Sequence, residues 1–194
     1  MTSSAKYLVL PVAMLLLCTV HSMAQPDKVY TSVAQIKNPL QVYQLQIRYK
    51  RLKKVPLVVF ECKNLRVLDL SKNFIDTLPP EIGTLANLEE LNLHRNKLRS
   101  VPPEMGRLKN LRVLNLSRNP ILELPPEMCS LSKLEKLILW MTGVVEVPPT
   151  FVSLNQTLKE LDMRACPMTY DNQEEVETIL PSPKKRWDYV CNCK

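Results

Sequence analysis

The chain has 194 residues, 45% hydrophobic but only 6% aromatic, so its core must be built from Leu, Val, Ile and Met. Pro outnumbers Gly 16 to 3, no GxGxxG phrase or phosphate-cradling loop occurs, and one of only two histidines, His21, falls in a candidate leader; nucleotide chemistry, a catalytic triad and a metal centre are all disfavoured. The formal charge of +7, or +6 without residues 1–24, which carry one Lys and no acid, suits acidic partners without choosing one.

In chain order, Lys6 precedes a largely apolar run from Tyr7 to Val20, and Ser22-Met23-Ala24 puts small residues three and one places before Gln25. This pattern predicts a signal peptide over residues 1–24 and therefore a secreted, periplasmic or cell-surface protein. Lipoprotein anchoring at Cys18 is the lesser alternative, because the preceding Leu17 is large where such sites carry a small residue. No later stretch is long and apolar enough to span a bilayer. Residues 25–41 are expected to form an N-terminal cap, with Thr31 to Lys37 as a short helix stopping before Asn38-Pro39.

From Val42 to Met168 the chain repeats itself. Leu65, Leu88, Leu111 and Leu134 stand 23 residues apart, and each opens the phrase LxxLxLxxN or a close variant ending at Asn73, Asn96, Asn119 and Thr142. Val42-Leu45-Ile47-Lys50 adds a unit upstream and Leu158-Leu161-Met163-Cys166 one downstream, making six strand phrases. Each LxL pair points two side chains inward from a short strand, and one unit cannot bury them alone. The Asn column should bond backbone groups that would otherwise be buried unpaired. Beyond Met168, residues 169–194 are expected to cap the C-terminal end: Asp171 and Glu174 have capping-box spacing, Pro181 stops the helix, and Arg186 to Val190 can close the sheet as a strand.

The segment LPPEIGTLANLEELNLHRNKLRSVP, Leu78 to Pro102, resembles leucine-rich repeat proteins of the 23-residue LPxxIGxLxxL type. Asn38-Pro39 followed closely by Val42-Tyr43 and Leu45, together with the acidic terminal helix ending in Leu180-Pro181, resembles the caps of short exported bacterial members, whereas secreted eukaryotic relatives usually carry cysteine-flanked caps and no Cys occurs here between Gln25 and Glu61. The resemblance implies an α/β repeat fold, a curved solenoid with a parallel concave sheet of about six strands, and a binding scaffold without catalysis or cofactor.

Strand alternation then makes the concave face readable: positions three, five and seven of each phrase face outward and position eight lies at the edge. Ile138, Trp140 and Met141 are all apolar on the fifth phrase, with Val113 beside them, where solvation alone favours polar residues. Lys72, Arg95 and Arg118 share the eighth column on successive strands, about 5 Å apart, and form a basic strip. Two alternatives stand: Trp140 folds onto a cap, and Glu90, Asp69 and Glu89 offset the strip. His94, at the concave centre, lacks an orienting acid and reads as a contact residue. The preferred function is an exported, non-catalytic protein-binding module that takes a protein or peptide ligand, with an acidic one suited to the strip, and neither nucleic acid nor metal. The alternatives are a self-associating envelope or surface component and, should the leader be retained, an intracellular scaffold similar to Ras-suppressor proteins. Cys62, Cys129 and Cys166 occupy repeat columns as small core thiols, whereas Cys191 and Cys193 form a terminal CxC too weak to indicate a metal.

Overall fold

A computed structural model describes residues 27–187. The leader, Cys18, Cys191, Cys193 and residues 188–190 of the expected closing strand lie outside the described residues. One parallel sheet holds eight short strands in sequence order: β1 (Val29–Tyr30), β2 (Gln44–Gln46), β3 (Val67–Asp69), β4 (Glu90–Asn92), β5 (Val113–Asn115), β6 (Lys136–Ile138), β7 (Glu160–Asp162) and β8 (Lys184–Arg186). The six repeat phrases supply β2 to β7, and each cap adds one strand. β8 begins ahead of the segment expected from sequence, because Lys184 N–H donates to Lys159 O and so carries on the register of the repeats, Glu160 opposite Lys184.

Register is exact along the solenoid: Leu45, Leu68, Leu91, Leu114, Leu137 and Leu161 are cross-strand partners, and all are buried. Behind the sheet the chain returns between β2 and β7 through 3-10 segments, the first of which, Leu57–Glu61, follows Pro56 while the others open on a proline whose fixed φ suits the first turn. Leu57–Glu61, Pro80–Thr84, Pro103–Arg107 and Pro126–Ser130 are each five residues long. The next, Pro149–Gln156, is eight residues long and absorbs the extra residue of the last unit. Adjacent returns approach closely: a Cβ on Gly83 would lie 2.7 Å from Glu104 O, and one on Gly106 would collide with Glu127 O. Cys129 takes that column where the following segment is the longer one.

The asparagine column works as a ladder. Asn96 Nδ2 donates to Leu70 O at 3.1 Å and Leu93 O at 2.9 Å, while Oδ1 accepts from Ile75 N–H at 3.0 Å. Asn73 and Asn119 repeat the pattern one unit away on either side. Thr142 has a single hydroxyl in place of a carboxamide; it donates to Leu139 O at 2.8 Å, and the bond a carboxamide would accept from Ile121 N–H is not made.

Both caps differ locally from expectation. At the N-terminal end two 3-10 turns, Val33–Gln35 and Pro39–Gln41, replace one helix. Pro39 starts the second instead of stopping the first, because Asn38 Oδ1 accepts from Leu40 N–H at 3.0 Å and caps it. At the other end helix α1 spans Tyr170–Ile179. Its capping box is Thr169 with Asn172, not Asp171 with Glu174: Thr169 has the extended backbone an N-cap requires, which leaves Asp171 in the first turn. Val176 and Leu180 bury against the last repeat.

Candidate functional site

Position eight of every repeat adopts a left-handed backbone: φ is 56° at Tyr49, 58° at Lys72, 56° at Arg95, 54° at Arg118, 54° at Met141 and 51° at Ala165. This conformation turns the chain out of the strand, and the N–H groups of Lys72, Arg95 and Arg118 donate to His94 O, Ser117 O and Trp140 O on the next repeat. Sequence pattern alone did not reveal it, since glycine and asparagine, the usual markers of positive φ, are absent from the column. The basic strip is thus set by backbone as well as by spacing.

Trp140 stays on the concave face. Its ring lies nearly parallel to that of His94, with centroids 6.3 Å apart, and the Arg118 guanidinium sits 4.5 Å from the indole centroid. Together these side chains cover Ser117, which is buried. Ile138 and Val113 are half-buried on β6 and β5, and Met141 is 45% exposed at the edge. Lys72 leans the other way, donating to Tyr49 OH and standing 4.7 Å from that ring's centroid. Arg95 lies between the two groups, exposed. Of the expected residues, His94, Arg118 and Trp140 therefore form one cluster, flanked by Ile138 at the end of β6 and by Met141 in the turn after it. Tyr49 and Ser117 join the site, Ser117 as the hydroxyl that the outward columns already place beside His94. Tyr49 was detectable as the first member of the strip's own column.

The acidic offset expected for the strip is not made among the described residues. Asp69 pairs with Arg48 at 3.5 Å and accepts from Ser71 N–H at 2.8 Å. Glu89 faces Arg66 at 3.8 Å on the opposite edge of the sheet, and Glu90 lies at position three of its repeat, the first residue of β4. At the C-terminal end Lys136 and Arg186 pair with Glu160, and Arg164 with Asp162. None of these carboxylates pairs with Lys72, Arg95 or Arg118. His94 registers the result: burial first, then the charges of Arg118, Lys72 and Arg95, holds its imidazole below the ordinary value, with Asp69 pulling the other way.

His94 Nδ1 is 2.8 Å from Ser117 Oγ, a pairing that invites comparison with an activated serine. The proton count argues otherwise. Ser117 spends its one hydroxyl proton on Asn115 Oδ1 at 2.5 Å, so His94 Nδ1 must donate to Oγ instead of accepting from it. The imidazole is turned the wrong way to serve as base for a nucleophile that is itself buried. Among the described residues no group of three or more His, Cys, Asp and Glu is arranged to hold a metal ion, and no helix is long and apolar enough to cross a membrane.

The chain belongs to the leucine rich repeat family, whose model matches residues 41–98 and 86–139. Among solved structures it is similar to a leucine-rich repeat protein of Leptospira interrogans, at 29% identity and a TM-score of 0.63, over 84% of this chain and 48% of that one. It is also similar to the ectodomain of the plant membrane receptor kinase GASSHO1/SCHENGEN3 from Arabidopsis thaliana, solved in complex with Casparian strip integrity factor 2: 28% identity, TM-score 0.60, 79% of this chain and 19% of that one. A third similarity, to the Arabidopsis thaliana BIR3–SERK2 complex, has 30% identity and a TM-score of 0.51 over 56% of this chain and 61% of that one. The chain thus spans about half the length of the bacterial protein and about a fifth of the plant receptor ectodomain. Among curated proteins none matches the sequence.

Proposed function

We propose that this protein is an exported, non-catalytic binding module that holds a partner protein or peptide on its concave sheet, with contacts centred on Trp140. The observation that carries the reading is the grouping of Trp140, Ile138 and the 45%-exposed Met141 on one outward face, braced by Arg118. A rigid aromatic with two rotatable bonds supplies contact area at low entropic cost, and Trp and Arg are the residue types most enriched where interfaces gain their energy. Similarity to leucine-rich repeat ectodomains solved with protein partners supports the same class of function. Export rests on the leader pattern of residues 1–24.

Photo-crosslinking tests the site. With p-benzoylphenylalanine in place of Met141, irradiation of the exporting cell should trap a discrete adduct; the same group in place of Glu127, on the convex side, should trap none. Equal labelling from both positions would sink the concave-face reading. N-terminal sequencing of the protein purified from whole cells and medium together should begin at Gln25, and recovery of intact Met1 alone would refute cleavage of the leader.

A further inference from the structure

Three cations in consecutive repeats share one edge of the concave face, and no carboxylate among the described residues pairs with them. The Arg118 guanidinium carbon sits over the Trp140 ring, 4.5 Å from its centroid, which steadies a side chain able to receive a carboxylate through two parallel bonds. Lys72 is steadied by Tyr49, and Arg95 stands exposed between them. The uncompensated positive charge along this edge attracts an anionic partner. The apolar group of Ile138, Trp140 and Met141 begins where the strip ends, because Arg118 lies over the Trp140 ring.

Resting on the concave-face reading above, we infer that the partner segment is an extended acidic peptide that crosses the strands, seats an aliphatic or aromatic side chain on Ile138, Trp140 and Met141, and lays carboxylates over Arg118, Arg95 and Lys72. Spacing supports the direction. Parallel strands lie about 4.8 Å apart, so the backbone positions of the strip extend about 10 Å from Arg118 to Lys72, and the outward lean of these two side chains lengthens the reach of their charges. Alternate side chains of an extended peptide stand about 6.6 Å apart on one face, a distance the long Arg and Lys side chains can match. A segment with an apolar residue and acidic residues at the successive alternate positions beside it meets every part of the surface. A peptide lying parallel to the strands would meet one cation of the strip and leave the others unpaired.

The test is selection of peptides from a phage-displayed library of random 12-residue sequences on the described domain within the full chain, with Trp140→Ala and the double variant Arg95→Glu, Arg118→Glu as parallel targets. The expected result is enrichment of sequences with alternate Asp or Glu beside a large apolar residue. Such peptides, made synthetically, should lose about tenfold or more in affinity on Trp140→Ala and about a hundredfold on the double charge reversal. Trp140-dependent binders without acidic bias would overturn the acidic partner and leave the concave-face reading standing. Failure to recover any binder that depends on Trp140 would overturn both. A heparin fragment that binds as tightly as the peptides and displaces them would show a general polyanion surface, which also overturns the proposal. A circular dichroism melt within a few degrees of wild type guards each variant against misfolding.

Discussion

Replacing Asn96 by Ala tests the physical basis of the solenoid. The side chain makes three buried hydrogen bonds, to Leu70 O, Leu93 O and from Ile75 N–H. The two carbonyls keep partners of their own, since Asn73 donates to Leu70 O and Asn119 to Leu93 O. Ile75 N–H loses its partner altogether. An orphaned buried donor costs about 1–3 kcal/mol, and each weakened carbonyl about 0.5–1 kcal/mol more, for a total of roughly 2–5 kcal/mol. Thr142→Ala removes one hydroxyl bond and should cost only about 1 kcal/mol. Equilibrium urea unfolding followed by circular dichroism measures both. A loss at Asn96 no larger than that at Thr142 would mean that water replaces the ladder bonds and that leucine packing alone holds adjacent turns together.

Leu91→Ala, at a fully buried position between Leu68 and Leu114, should cost roughly 2–5 kcal/mol in the same assay, and His94→Ala clearly less; equal losses would show that the inward and outward columns are confused. Ala165→Gly should raise stability by up to about 1 kcal/mol, because φ of 51° strains Ala more than the added chain entropy of Gly costs, and Ala165 is exposed, so little packing is lost; a drop in melting temperature would contradict that. The depressed imidazole of His94 means that the unfolded chain takes up a proton near pH 6.5 while the folded one does not. Stability should therefore fall as pH drops below about 6.5 and level off below the folded value, and His94→Gln should flatten that slope in melts from pH 7.5 to 5.

Much of this architecture is legible in 23-residue spacing, because a repeat states its own register: Leu68, Leu91 and Leu114 had to be partners once their phrases aligned. What escaped the reading were features set by backbone conformation without a residue signature. The left-handed turn at position eight is imposed by the next repeat's carbonyls on Lys, Arg, Met and Ala alike, so composition cannot announce it. Pro39 misled because proline both ends helices and begins 3-10 turns, and the Asn38 side chain decided between them. In the site, the outward columns placed Trp140 and Arg118 on one face, but their stacking and the leaning of His94 over Ser117 depend on rotamers. The exclusion of a serine nucleophile rested on where one hydroxyl proton goes, a detail three residues in sequence could not supply.

The central claim is that the concave face around Trp140 is where a partner binds. Calorimetric titration of the partner trapped by crosslinking at Met141, against wild type, Trp140→Ala and Glu127→Ala, tests it most directly. Trp140→Ala should weaken binding by about 2 kcal/mol or more, roughly thirtyfold, while Glu127→Ala on the convex side leaves the affinity within error. Unchanged affinity for a folded Trp140→Ala protein would contradict the account.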